Sequence, residues 1–332
     1  MKQRAQPCSR ERVIFLDTET TGMQGGTGMC PFLVGVGYFE GDDFRVDQFF
    51  IRDFDEESSM LAALCELLER FDLVVTYNGT TFDIPLLETR LTLARLDNPF
   101  QSRGHFDLLN TARRLWRNGH GSCRLVALER SVMSFLRGPD VPGSMIPRVY
   151  FDFLQHRPSP ALPVVFTHNV YDIVSLAALT VLACDRVVAE PAALDDPLDI
   201  YSLACIIENT EDWRRGLDFY ERAIDGGLPE PSRSKALENL SVLCRRAGQH
   251  DRAFQICLEL IENPVFSMTA YEGAAIYHER IAENCEAALE VVEAGLLRLE
   301  NGTTANRPKT LLRKRWERLQ QKVIGFPSSA TV

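Results

Sequence analysis

Near the start of the chain, Val13-Ile14-Phe15-Leu16 runs into Asp17-Thr18-Glu19-Thr20-Thr21 and stops at Gly22. An apolar run bounded by turn residues reads as a buried strand, and side chains alternate faces along it. Asp17 and Glu19 therefore project from the same side. Two carboxylates there repel each other and cost desolvation energy unless a cation lies between them. Cation binding and a pair of turn acids leaving a strand are both open until other acids are considered.

Further acids stand in related contexts. Leu73-Val74-Val75-Thr76-Tyr77 reads as a second buried strand, followed by Asn78-Gly79-Thr80-Thr81-Phe82-Asp83-Ile84-Pro85. The Asn-Gly turn and Pro-led helix put Asp83 at a strand-to-helix junction, where parallel sheets bind ligands. Capping that helix is its ordinary alternative use. In the apolar segment 163–189, His168 and Asp172 lie four apart and so stack on one helical face. An acid among Ile173, Val174 and Leu176 needs a partner, either a metal or His168. Arg103, Arg113, Arg114, Arg117 and Arg124 stand against the single acid Asp107, a phosphate-contacting face or a solvated helix surface. Asp107 itself is read as the cap of the helix beginning at Leu108.

The elements that must position these residues follow from periodicity. Residues 31–39 and 44–51 read as strands joined by a turn at Gly41-Asp42-Asp43, forming an antiparallel continuation of the first strand. Helical spacing of Met60, Leu61, Leu64, Leu67, Leu68 and Phe71 places a helix before residues 73–77, which makes that strand parallel to the first. A short helix is read over 126–136. After Glu190-Pro191 the strands vanish, and helical pairs are expected at about 199–226, 233–263 and 269–300. Gly216, Ala253 and Ala287, with Ala223, Leu260 and Ala294 seven residues on, give a common register close to the 34-residue tetratricopeptide period. A closing helix is expected over 311–323.

The chain has 332 residues, 45% of them hydrophobic and 25% charged, suited to about two globular domains. The expected layout is a disordered 1–11, an α/β domain over 12–190, a linker over 191–198, helical repeats over 199–324 and a disordered tail over 325–332. No run approaches the roughly 18 apolar residues of a membrane span, and the first residues lack the apolar core of a secretory signal. Nine cysteines without a Cys-x-x-Cys pair argue for reduced thiols and a cytoplasmic location. A net charge of −10 weakens a nucleic-acid reading without excluding it, because bound metals would neutralise some acids.

The ordered set Asp17-Thr18-Glu19-Thr20, Phe32-Leu33-Val34-Gly35-Val36, Asn78-Gly79…Phe82-Asp83, His105-Phe106-Asp107-Leu108-Leu109, Gly143-Ser144…Ile146-Pro147 and His168-Asn169…Asp172 resembles the DEDD 3′–5′ exonucleases of the ribonuclease H-like superfamily. Within them the chain is similar to the YprB-like branch, whose members often carry tetratricopeptide repeats. The resemblance covers residues 12–188. It implies an α/β ribonuclease H-like domain, a mixed sheet with its first strands antiparallel and helices on both faces, followed by an all-α tetratricopeptide-like domain. It also implies two divalent cations, Mg²⁺ or Mn²⁺, held by Asp17, Glu19, Asp83 and Asp172, and hydrolysis of single-stranded DNA or RNA. The family places a His five residues before the last acid or a Tyr four before it. Here His168 is four before and Tyr171 immediately before, and His168 is the candidate to orient or deprotonate the water. Thr20, Asn78, Phe82, Arg113 and Arg117 are the candidate substrate contacts.

Two other readings compete. In one, helical repeats bind a protein partner and the first half is an inactive scaffold; all four acids being present favours the nuclease. In the other, Asp17 is a phosphatase nucleophile, but such enzymes want a second Asp where this chain has Glu19.

Overall fold

The structure, a computed structural model, describes residues 9–22, 28–300 and 306–325. The Gly-rich stretch after the first strand and both expected disordered ends fall largely outside them. The described residues divide into two compact units between Val188 and Ala189.

The first unit is built on five strands, β1 (Val13–Thr20), β2 (Pro31–Glu40), β3 (Asp43–Phe50), β4 (Leu73–Thr76) and β5 (Gly104–Asp107), in the order β3-β2-β1-β4-β5. β1 runs antiparallel to β2, and β2 to β3. On its other side β1 runs parallel to β4, and β4 to β5. Antiparallel pairing is thus confined to one half of the sheet. The parallel half has the intervening α1 (Glu57–Leu68), as a same-direction return requires.

One face of the sheet carries Ile14, Leu16, Val34, Val36 and Val74, which share a core with Leu61, Leu64 and Leu68 of α1. Leu87 and Leu91 of α2 (Asp83–Ala94) close that core. The opposite face is met by α6 (Leu162–Val188), a 27-residue helix. Its approach depends on β2 having no side chains at two positions. A Cβ at Gly35 would stand 2.0 Å from Asn169 Oδ1, and one at Gly37 would stand 2.5 Å from Ile173 Cγ2. Since Gly35 pairs with Asp17 across the ladder, that same gap brings α6 over the first acid.

Several expectations change. β5 was not foreseen; at four residues and half-exposed, Gly104-His105-Phe106-Asp107 carries almost no periodic signal. Asp107 does cap α3 (Leu108–His120), accepting from Leu109 N at 3.1 Å. It also accepts from Asn78 N at 2.8 Å and Thr80 N at 3.1 Å, so it ties the β4–α2 turn to the end of β5. The helix read over 126–136 is α4 (Leu125–Ser131) only. Arg103 does not join a phosphate-facing surface. Its guanidinium donates to the carbonyls of Leu68, Phe71 and Pro99 and fastens the C-terminal end of α1 to the loop before β5. At the N-terminus, Arg10–Arg12 forms a single helical turn, with Arg10 donating to Asp42 at 2.8 Å. Between α4 and α6 lies α5 (Ile146–Leu154), whose Tyr150 ring stacks 4.0 Å from Phe32.

The second unit is helical: α7 (Pro197–Ile207), α8 (Arg215–Asp225), α9 (Ser232–Arg246), α10 (His250–Glu262), α11 (Met268–Arg280), α12 (Cys285–Glu300) and α13 (Asn306–Gly325). The second helix of each pair begins at Arg215, His250 and Cys285, 35 residues apart each time. In the third pair the small residues turned inward are Ala288 and Gly295, not Ala287 and Ala294. A Cβ at Gly295 would stand 2.9 Å from the Tyr271 ring, so that ring selects the register. Glu279 of α11 receives Arg318 at 2.6 Å and Lys322 at 2.6 Å from α13, which docks the last helix.

Candidate active site

Strand alternation puts Asp17 and Glu19 on the α6 face of β1, at the end of the strand from which the parallel neighbour β4 also exits. Asp83, the first residue of α2, accepts from Thr18 Oγ1 at 2.5 Å. Thr18 points to the other face, so Asp83 reaches the strand end from the α2 side. His168 and Asp172 come from α6, their side chains in register one helical turn apart, with His168 Nε2 3.3 Å from Asp172 Oδ2.

Ligand atoms of Glu19, His168 and Asp172 all lie within 4.8 Å of one another. Asp17 and Asp83 are outside that tight set but belong to the same electrostatic group. Burial pushes the Asp17 carboxyl well above the usual carboxylate range, and the charges of Asp172, Asp83 and Glu19 push it further. Burial likewise lifts Glu19 to about 8, against the pull of His168 and with Asp172 and Asp83 adding to the rise. Asp83 is raised by burial to about 6, opposed by the hydrogen bond from Thr18. Burial alone would lower His168. The hydrogen bond and charge of Asp172, then Glu19 and Asp140, outweigh it and hold the imidazole at about 9. Acids that resist ionising together are acids short of positive charge.

Five supporting residues, Asn169, Gln48, Asp140, Arg137 and Glu129, were not legible as site residues. Asn169 donates to Asp17 Oδ2 at 3.0 Å and accepts from Gln48 Nε2 at 2.9 Å, so a side chain on β3 orients the first acid through α6. Asp140 lies 2.6 Å from His168 Nδ1, which fixes the ring and turns Nε2 toward Glu19 and Asp172. Arg137 donates to Asp172 Oδ1, to Glu129 Oε1 at 2.5 Å and to Glu129 Oε2 at 2.7 Å. Glu129 is fully buried, so the guanidinium is anchored from behind and engages one oxygen of Asp172 while the other faces His168. The charges of the Arg137-Gly138-Pro139-Asp140 loop acquire meaning once it is folded against α6. Tyr171 turns away, its ring packed on Phe135 and beneath the Arg137 guanidinium.

Of the candidate substrate contacts, Asn78, Arg113 and Arg117 gather around one open cavity of about 630 Å³, with Tyr77 and Arg124. Asn78 adopts a left-handed φ of 67°, which turns the chain out of β4 toward this cavity. Arg113, Arg117 and Arg124 are exposed, and none has a carboxylate partner among the described residues. Phe82 is half-buried at the mouth of α2. Thr20 differs: its hydroxyl donates to Gly22 O at 2.6 Å and is taken up in turning the end of β1.

Residues 14–184, half of the chain, match the family described as the RNase_H superfamily. The chain belongs to that superfamily. It is 29% identical over 293 residues to a Bacillus subtilis (strain 168) protein described as uncharacterized protein YprB, covering 87% of this chain and 70% of that one. Among solved structures, the family B DNA polymerase of Pyrobaculum calidifontis matches with a TM-score of 0.43 and 16% identity over 67% of this chain. The chain spans 29% of that polymerase. Membership of the RNase_H superfamily accords with the mixed sheet and with acids gathered at the ends of its central strands. No helix among the described residues is long and apolar enough to cross a membrane.

The donor set suits a hard divalent cation. Carboxylate oxygens and one imidazole converge, no thiolate is among them, and the acids' raised pKa values mark a deficit of positive charge.

Proposed function

We propose that the first unit is a metal-dependent nuclease of the DEDD type, removing nucleotides from the 3′ end of single-stranded DNA or RNA. The observation that carries the reading is that ligand atoms of Glu19, His168 and Asp172 lie within 4.8 Å of one another, with the buried Asp17 and Asp83 carboxyls acting electrostatically on the same group. Glu19 and Asp172 would hold one cation, and Asp17 and Asp83 would supply oxygens toward a second, leaving His168 Nε2 free to act as a base. When bound, Mg²⁺ or Mn²⁺ supplies acidity to the attacking water and neutralises charge at the phosphate.

The chain's own residues do the rest. Asn169 and Thr18 hold Asp17 and Asp83 in their rotamers. Asp140 keeps the His168 ring oriented so that Nε2 takes the water's proton. Asn78 and Phe82 bound the terminal nucleotide, and Arg113 and Arg117 meet the phosphates behind it. The second unit is read as tetratricopeptide-like, its three helix pairs spaced by 35 residues.

The test is incubation of end-labelled single-stranded DNA and RNA with Mn²⁺, comparing wild type with Asp17→Ala and His168→Ala. Wild type is expected to shorten one or both substrates from the 3′ end, with Asp17→Ala at least ~10²-fold slower. An identical product ladder from wild type and Asp17→Ala would refute the proposal.

A further inference from the structure

The second unit contains a basic cavity lined by none of the acids described above. It has a volume of about 360 Å³ and lies between α9, α10 and α11. Residues 191–332 carry 17 Lys and Arg against 22 Asp and Glu, so the surroundings are acidic. Yet the cavity is lined by Arg245, Arg246, Arg280 and His250, and no lining side chain is a carboxylate. Several other arginines of this unit are neutralised, among them Arg233 by Glu259, Arg252 by Glu221 and Arg318 by Glu279. Arg245 and Arg280 have no such partner among the described residues.

The interior is shaped to keep it so. The Nε of Arg245 is buried and lacks a hydrogen-bond partner. A Cβ on Gly273 would stand 2.6 Å from Cys257 Sγ and 3.8 Å from the Arg245 guanidinium carbon. The missing side chain on α11 makes room for the Cys257 thiol, with the Arg245 head alongside Gly273 at ordinary contact distance. Arg246 lies 4.1 Å over the Trp213 ring, which restrains its head at the rim. Phe254 and Tyr277 line the same cavity as a parallel stack, 4.2 Å apart and 9° from coplanar. Asp251 is the nearby acid, and it accepts from the Tyr277 hydroxyl at 2.6 Å instead of neutralising an arginine.

The buried, unpartnered Nε of Arg245 calls for an acceptor, because a buried donor left unpaired costs free energy, and the exposed Arg280 adds a second positive charge that makes an anion the fitting one. Arginines interleaved with aromatic rings are the chemistry that holds a single nucleic-acid strand, phosphates on the cations and bases on the rings. We propose that this cavity binds the single strand on which the first unit acts, as a second contact with Arg245 and Arg280 on successive phosphates. The choice of a nucleic acid over an acidic peptide rests on the nuclease reading; the need for an anion does not.

Binding and cleavage are measured separately so that the two readings can fail independently. Fluorescein-labelled single-stranded DNA and RNA are titrated with the full chain in EDTA, by anisotropy, across 50–200 mM salt. Counterion release gives a slope of about −0.7 per phosphate contact, worth about 5-fold in affinity at 0.1 M salt. Arg245→Gln/Arg280→Gln is expected to weaken binding about 25-fold and to flatten the slope by about 1.4. Arg245→Lys/Arg280→Lys should recover most of both, and unchanged circular dichroism and melting temperature would show that the pair still folds. Cleavage of sub-saturating strand with Mn²⁺ should fall in the Gln pair in step with its loss of affinity, and be lost at every strand concentration in Asp17→Ala.

Unaltered strand affinity in a folded Gln pair would overturn the proposal. So would a Gln pair that loses affinity for labelled poly-glutamate while keeping it for the strand. If Asp17→Ala leaves cleavage unchanged but the Gln pair still loses the strand, the nuclease reading falls and the binding site stands.

Discussion

Substituting Gly35 should damage the site through a residue that carries no functional group. The Cβ of Gly35→Ala would stand 2.0 Å from Asn169 Oδ1, 2.7 Å from its Cγ and 2.8 Å from its Nδ2. Asn169 is fully buried, accepts from Gln48 on β3 and donates to Asp17, so it has no empty direction in which to retreat. Either α6 moves off the sheet or the Asn169 side chain leaves Asp17. Overpacking of this kind costs about 1–3 kcal/mol. Loss of a hydrogen bond to a buried carboxylate adds about 1.5–3 kcal/mol, giving roughly 3–5 kcal/mol where the two coincide. The assay is equilibrium urea unfolding of wild type, Gly35→Ala, Asn169→Ala and the double variant. Removing the Asn side chain first makes room for the new methyl, so Gly35→Ala in the Asn169→Ala background should cost under about 1 kcal/mol. That leaves a coupling energy of at least about 2 kcal/mol between the positions. Additive effects within about 0.5 kcal/mol, or a Gly35→Ala protein as stable as wild type, would refute this account of how α6 is seated.

Arg137→Leu would leave Glu129 charged, fully buried and unpaired, and should destabilise the first unit by about 3–5 kcal/mol, most of it recovered by adding Glu129→Leu; thermal melts of the single and double variants check this. Glu279 is held down at about 2, first by the hydrogen bond from Arg318, against burial, and with Lys322 assisting. A depressed carboxyl stabilises above its unfolded value of 4.5 and loses that contribution as pH falls from there toward about 2. The contribution is on the order of 3 kcal/mol before solvent screening of the half-exposed Arg318 and Lys322. Urea midpoints should fall between pH 6 and pH 3 in wild type, and much less in Glu279→Gln. Arg113→Gln/Arg117→Gln should leave the chain folded, since both side chains are exposed, and should reduce the salt slope of strand binding by about 1.4. A slope unchanged in that pair would remove these arginines from the substrate path.

Sequence alone determined what depends on local geometry. The alternation of a strand puts Asp17 and Glu19 on one face, and the 3.6-residue turn stacks His168 on Asp172. Asn-Gly before Asp83 ends a strand, and the loss of β-branched runs after residue 190 announces helices. Backbone periods make these statements, and they hold whatever the rest of the chain does. Which face of the sheet α6 covers, by contrast, is set by two absent side chains at Gly35 and Gly37 meeting Asn169 and Ile173 more than 130 residues on. Separations of 65, 121 and 35 residues lie between Thr18 and Asp83, Gln48 and Asn169, and Arg137 and Asp172. Arg103 looked like its neighbours Arg113 and Arg117, yet the carbonyls it satisfies belong to another helix end. Pairings of this sort arise from complementary volume and unsatisfied polarity between segments, which have no period to betray them, and only the folded chain decides them.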